Sequence, residues 1–259
     1  MSVAVAGESS DESSASYDRL RELKAFDESK SGVKGVVDAG ITKVPPMFIR
    51  SPEELASDVP ISSHTPTSLP MSGKVCKLEG HVLFCVMGPE PLDPQELPLV
   101  CRNITIEFSE KVQILGIVLL ELLSEALGLK PGQIKSMGCA EGHIILSHYY
   151  PGCPEPELTM GTTRHSDPVN IEDLLQLISN DRFVSVEHRV LANRFGPRVS
   201  IATFFSKGVQ PTPNLYGPIK ELLSEKNPPK YRETSVAESA AYYNIKGLNG
   251  TSALLHFRI

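Results

Sequence analysis

The chain is short of several things, and each shortage removes a class of function. Lys and Arg number 25 against 31 Asp and Glu, a net charge of −6. A chain without a basic excess gives no support for binding nucleic acid or an anionic membrane surface. No run approaches the ~18 consecutive apolar residues that a spanning helix needs. The first sixteen residues are rich in Ser, Glu and Ala and lack the apolar stretch of a secretory leader. The five cysteines, Cys76, Cys85, Cys101, Cys139 and Cys153, form no CxxC or CxH pairing. Their odd number and scattered spacing predict reduced thiols in the cytoplasm rather than a disulfide framework or a zinc site.

What is present is ordinary for a globular protein: 41% apolar and 22% charged residues over 259 positions, enough to bury a sizeable core. Residues 1–16 have the composition of a disordered segment. Leu20, Leu23 and Phe26 recur at helical spacing and predict an amphipathic helix over 17–29. Pro52, Pro60, Pro66 and Pro70 punctuate a Ser- and Thr-rich run, so residues 62–80 are expected to be a linker. A long helix is predicted from Asp93, with Asp93 as cap, Pro94 in the first turn and Gly128 at the end. Its expected core stripe is Leu97, Cys101, Ile104, Phe108, Leu115, Val118, Leu122 and Ala126. A short helix over 133–137, a strand over 144–150, a helix over 218–223 and a last helix opened by a Ser235–Glu238 capping box complete the reading. His143 is expected at the surface.

The chemistry concentrates between His148 and Phe205. His165-Ser166-Asp167 places an imidazole and a carboxylate two residues apart, which in a strand puts both side chains on one side. His188 lies in 183–190, which reads as a second strand. Two imidazoles and one carboxylate are the ligand set of a facial triad, which holds Fe(II) on one face and leaves the other positions open. Residues 198–205 read as a further strand with Arg198 and Ser200 on one face, a guanidinium beside a hydroxyl that suits a carboxylate. Taken singly, each of these motifs is common: a lone histidine is more often a hydrogen-bonded bystander than a ligand. Their combination in this order is specific.

The runs HYYPGCPEPEL from His148, GTTRHSD from Gly161, DLLQLISNDRF from Asp173 and SVEHRVLAN from Ser185 resemble the plant 2-oxoglutarate- and Fe(II)-dependent dioxygenases. The tail segments PTPNLYGPIKELLS, PPKYRE and GTSALLHFR are similar to the 1-aminocyclopropane-1-carboxylate oxidase homologues within that family. The resemblance implies that His165, Asp167 and His188 bind iron, that Arg198 and Ser200 hold the distal carboxylate of 2-oxoglutarate, and that Tyr150 contacts the same cosubstrate. It implies a small-molecule substrate and dioxygen as partners, with ascorbate as the alternative to 2-oxoglutarate because the true 1-aminocyclopropane-1-carboxylate oxidases use it.

The expected fold is α+β, an incomplete double-stranded β-helix (jelly roll) with a long supporting helix and helical N- and C-terminal segments. Its expected parts are a shortened N-terminal region over 1–80, helical support over 81–142, the oxygenase core over 143–210 and a helical extension over 211–259. Three departures from the family pattern stand out. Little lies between Ile61 and His81, where the family has strands and a long helix, so part of the N-terminal half is expected to be lost with 62–80 in its place. Only 23 positions separate His165 from His188, where the family has more than twice that, so a block of the barrel is expected to be missing. Glu172 also stands where the family normally has glycine. The two functional readings are therefore an active oxygenase and a catalytically inactive remnant or splice form that acts through binding only.

Overall fold

The computed structural model describes residues 18–57, 76–79, 82–167, 171–206, 214–246 and 252–259. The expected disordered segment 1–16 lies outside them, as does most of the expected linker 62–80. The chain enters through α1 (Arg19–Ser29) and α2 (Gly32–Asp38), a 3-10 turn at Pro46–Phe48, and α3 (Pro52–Ser57). The Asp18 carboxylate caps α1 by accepting from the Arg21 amide. Phe26 meets Phe48 edge-on at 5.1 Å, whereas Leu20, counted with the apolar face, is 79% exposed.

Part of the expected linker is a strand. β1 (Cys76–Glu79) pairs antiparallel with β2 (Val82–Val86), Cys76 opposite Cys85. A Pro- and Ser-rich composition around these four residues hid a pairing that only the partner strand reveals. β2 then pairs with β3 (Gly142–Tyr150), so the sheet crosses the boundary expected at 142. β3 in turn pairs with β6 (Arg198–Ser206) over its whole length, Gly142 opposite Ser206 and Tyr150 opposite Arg198. The resulting order is β1-β2-β3-β6, and a second, two-stranded sheet joins β4 (Met160–His165) to β5 (His188–Leu191). The architecture is thus α+β with antiparallel sheets.

The predicted long helix is broken. Asp93 does cap, accepting from the Gln95 amide, but what it opens is a 3-10 turn at Pro94–Glu96. Leu97 is extended, at φ −79 and ψ 139, because the following Pro98 disfavours a helical conformation in the residue before it. Helix α4 begins only at Arg102 and runs to Ala126. Its buried face carries Ser109, Gly116, Leu120 and Ser124, while Ile104, Leu115, Val118 and Leu122 of the expected stripe are 46–65% exposed. Hydrophobicity misled here because α4 carries apolar residues on its exposed side as well as its buried one. Close approach to the sheet selects small residues instead. A Cβ on Gly116 would lie 2.2 Å from Phe205 Cζ. The Ser109 hydroxyl meets Nε2 of His143 at 2.7 Å, which leaves His143 5% exposed rather than at the surface. Burial holds its pKa below the usual imidazole value.

Behind α4 come α5 (Gln133–Ser136), α6 (Ile171–Ile178) and α7 (Val236–Lys246). The main core gathers Leu120, Leu127, Ile134, Leu177, Ile178 and Phe257. The expected helix at 218–223 is one 3-10 turn, Lys220–Leu222. Ser235 Oγ accepts from the Glu238 amide at 3.1 Å as the capping box requires. The Glu238 carboxylate, however, turns to Arg232 and Thr234 at 2.7 and 2.8 Å. No helix among the described residues is long and apolar enough to cross a membrane.

The start of β3 sets a stability prediction. A Cβ on Gly142 would lie 2.8 Å from the Gly88 carbonyl carbon and oxygen and 2.9 Å from Pro89 N. These are backbone atoms and cannot rotate away. Gly142→Ala is expected to destabilise by about 1–3 kcal/mol, lowering the melting temperature by several degrees. Calorimetry on the variant checks it, and an unchanged transition would show that the two backbones separate freely.

Candidate metal and cosubstrate site

β4 ends at His165, so the His-x-Asp pair does not lie within one strand: Ser166 and Asp167 follow it outside any regular element. The expected strand over 183–190 likewise shrinks to β5, which starts at His188. The site forms by a different route. β4 and β5 pair directly, with His165 opposite His188, and Asp167 folds back between them. Its Oδ1 lies 3.4 Å from His165 Nε2 and 3.7 Å from His188 Nε2. The two rings stand 4.4 Å apart between centroids, and one ligating atom from each residue falls within 4.8 Å of the others.

The ring orientations are fixed from behind. Nδ1 of His165 is 2.6 Å from the Thr163 carbonyl and Nδ1 of His188 is 3.0 Å from the Val186 carbonyl. A carbonyl only accepts, so each Nδ1 carries the proton and each Nε2 presents its lone pair toward Asp167. Burial lowers the His165 pKa, but the Asp167 carboxylate and the Thr163 carbonyl outweigh it and hold the ring above its ordinary value. On the outer side Arg164 pairs with Glu187 across the two strands. The side chains of His165 and Asp167 are 16% and 22% exposed, and that of His188 42%.

This donor set fits one divalent ion. Two donors each about 2.1 Å from a metal lie at most about 4.2 Å apart, and both separations from Asp167 Oδ1 already satisfy that limit. Two neutral imidazoles and a carboxylate match a non-haem Fe(II) centre with open positions.

Arg198, Ser200 and Tyr150 come together on the larger sheet. Directly opposed residues share a face, so the pairs Tyr150–Arg198 and His148–Ser200 set all four side chains on one side. The Arg198 guanidinium lies 5.4 Å from the Tyr150 ring centroid. His148 stacks on the same ring at 5.7 Å. The Tyr150 hydroxyl reaches Thr162 Oγ1 of β4 at 3.3 Å, linking this face to the strand that bears His165. Farther along, the face becomes apolar with Phe84, Val86, Ile144, Leu146 and Phe204.

Several participants had no signal in the sequence reading. Ser166 donates to Oδ2 of Asp173 at 3.3 Å. Asp173 is 2% exposed. Burial pushes its carboxyl up to about 6; the Ser185 and Ser166 hydroxyls pull the other way, and Glu172 and Asp167 add to the rise. Burial, with the Asp167 and Asp173 carboxylates, raises Tyr243 of α7 to about 12. A cavity of about 20 Å³ lined by Asp173, Tyr216, Thr234, Ser235 and Ser239 includes none of the triad and is too small for a substrate.

With fold and site described, comparison with known proteins is direct. Residues 168–207, which include His188, Arg198 and Ser200, match the model of the 2OG-Fe(II) oxygenase superfamily. 1-Aminocyclopropane-1-carboxylate oxidase homolog 3 of Arabidopsis thaliana is 39% identical over 360 aligned positions, which cover 94% of this chain and 98% of the relative. Deacetoxyvindoline 4-hydroxylase of Catharanthus roseus is 36% identical, covering 93% of this chain and 89% of its own. Among solved structures, JOX2 in complex with 2OG, Fe and JA superposes with a TM-score of 0.58 at 23% identity, covering 72% of this chain and 68% of that one. The dioxygenase for auxin oxidation from rice gives 0.57 at 17%, covering 92% and 86%; both are likenesses of fold.

The chain belongs to the 2OG-Fe(II) oxygenase superfamily, whose members use Fe(II) and 2-oxoglutarate. Its relatives within it are the plant 1-aminocyclopropane-1-carboxylate oxidase homologues. The alignment with homolog 3 runs over 360 positions although this chain has 259 residues, so the relative carries internal segments that have no counterpart here.

Proposed function

We propose that this protein is an Fe(II)- and 2-oxoglutarate-dependent oxygenase acting on a small plant metabolite in the cytoplasm. The observation that carries the reading is the convergence of His165, Asp167 and His188, through pairing of β4 with β5, despite the short path between them. The hydroxylase among the relatives supports oxygen insertion into a small molecule. Five free thiols are consistent with a reducing compartment. The inactive alternative rests on the internal segments of homolog 3 that have no counterpart here; the convergence of the three candidate ligands supports the active reading over it.

In this reading His165, Asp167 and His188 hold iron, which with 2-oxoglutarate and dioxygen supplies the oxidising chemistry and yields succinate and carbon dioxide. The protein's own residues do the rest. The Thr163 and Val186 carbonyls fix both rings with Nε2 turned toward Asp167. Arg198 and Ser200 anchor the distal carboxylate of 2-oxoglutarate, and Tyr150 braces the guanidinium and links it to β4. The apolar face that includes Phe84, Leu146 and Phe204 keeps water from that end of the site. Ascorbate is the alternative reductant; Arg198 and Ser200 favour the dicarboxylate.

The test is an anaerobic titration of the purified chain with Fe(II) and then 2-oxoglutarate. A visible metal-to-ligand charge-transfer band is the expected result, followed by stoichiometric succinate when oxygen is admitted. If Fe(II) and 2-oxoglutarate together produce no band, the reading fails.

A further inference from the structure

The connection between β4 and β5 contains α6, and the polar side of this helix bonds to the residues just after β4 and just before β5. Leu177 and Ile178 are each 1% exposed and anchor α6 in the main core. Glu172 and Gln176 are four residues apart and so lie on one face. Glu172 Oε1 accepts from the Val186 amide at 3.3 Å, and Gln176 Oε1 accepts from the Ser185 amide at 2.8 Å. The Gln176 amide nitrogen donates to Asp181 and to the Tyr231 hydroxyl at 2.9 and 3.1 Å, which fixes which end faces Ser185. Val186 is the residue whose carbonyl receives Nδ1–H of His188. One residue along α6 from Glu172, Asp173 receives the hydroxyl of Ser166, between the other two ligands.

We propose that α6 is a clamp that positions the iron ligands, with Glu172 and Gln176 holding the segment before His188 and Asp173 holding Ser166 between His165 and Asp167. The proposal rests on the metal-site reading above and deepens it. β5 has only four residues, and the segment leading into it, from Val184 to Glu187, has no strand partner. Val186 is 64% exposed. Without an anchor, the carbonyl that orients His188 would be free to turn with its residue. Glu172 supplies that anchor by accepting from the Val186 amide. It makes the helix serve a segment that the sheet leaves unsupported. Glu172, Asp173 and Gln176 are positioning residues in this scheme, because they act through Val186, Ser185 and Ser166.

The experiment uses the full chain freed of metal and titrated with Co(II), which reports affinity and ligand geometry through its d–d absorption. Glu172→Ala is expected to weaken Co(II) binding about 10-fold, at the low end of the effect of losing a partner behind a metal ligand, and to shift the band. Glu172→Gln keeps an acceptor oxygen and is expected to stay within about 2-fold of the parent. Val186→Pro removes the donor from the other side; it should weaken binding as Glu172→Ala does, and the double variant should be no weaker than either single one. Circular dichroism of the metal-free variants confirms that they fold, and Val186→Pro carries the test if Glu172→Ala does not. Parent-like binding by both Glu172→Ala and Val186→Pro overturns the clamp while leaving the metal site standing. A Glu172→Gln variant as weak as Glu172→Ala overturns it too, since charge rather than the hydrogen bond would then be responsible. Failure of the parent chain to bind Co(II) overturns the metal-site reading and the clamp with it.

Discussion

Replacing Asp167 with alanine is expected to abolish iron binding, with an affinity loss of at least about 100-fold, since even partners one bond behind a ligand cost 10–100-fold. The carboxylate is the only anionic member of the set and stands between the two imidazoles, 3.4 and 3.7 Å from their Nε2 atoms. Its removal leaves two neutral donors and nothing to offset the ion's charge. It also releases His165. Burial lowers that ring, and the Asp167 carboxylate is the strongest influence raising it. In the variant the imidazole pKa therefore falls, and the ring stays neutral to lower pH. Titration by NMR of the histidine ring protons in the metal-free protein checks the direction. Isothermal titration with Fe(II) under nitrogen checks the affinity. His188→Ala should lose binding to a similar degree without moving His165 in the same way. A metal affinity that survives Asp167→Ala would remove Asp167 from the ligand set.

That His165, Asp167 and His188 come together was legible in the sequence, but the way they meet was not. His165, Asp167, His188 and Arg198 are recognised by residue type and order, and chemistry restricts both. The His-x-Asp pair suggested a continuous strand because alternation is the simplest way to aim two side chains together. The protein instead ends β4 at His165 and places Asp167 beyond the strand. That choice depends on a cross-strand partner 23 positions away, which no local pattern encodes. The same limit explains α4. Its sequence marks a helix plainly, but apolar residues fall on more than one side of it, and the buried face is chosen by what the sheet presses against it: Phe205 over Gly116 and His143 against Ser109. Small and hydroxylated residues on that face read as solvent-facing when no neighbour is known. Pro98 was visible, and its effect on Leu97 follows from sterics alone, so the break before α4 was readable in principle. Strand β1 and the α6 clamp were not, since a four-residue strand and a side chain reaching a backbone amide fourteen residues on leave no periodic trace.

The second large effect is expected at Arg198. Its replacement by alanine should raise the half-saturating concentration of 2-oxoglutarate about 30- to 150-fold, equivalent to about 2–3 kcal/mol at 1.4 kcal/mol per decade. That is what a charge-assisted, two-pronged contact to a carboxylate contributes, taken at a modest value because the side chain opens to solvent, where screening weakens ion pairs. Arg198 is the first residue of β6 and is exposed, so removing it leaves the pairing of β3 with β6 and the core behind it intact. Iron affinity without cosubstrate should therefore hold within about 2-fold, well short of the 10- to 100-fold loss that follows disturbance of the groups behind a metal ligand. Arg198→Lys keeps the charge but not the planar fork, and it cannot lie over Tyr150 as the guanidinium does at 5.4 Å from the ring centroid. It is expected to recover only part of the loss. The measurement is the charge-transfer band followed against 2-oxoglutarate concentration at fixed Fe(II), with succinate as the dicarboxylate competitor. Parent-like saturation in Arg198→Ala would show that the cosubstrate carboxylate is held elsewhere, and the shared face of Tyr150, His148 and Ser200 would then need another ligand.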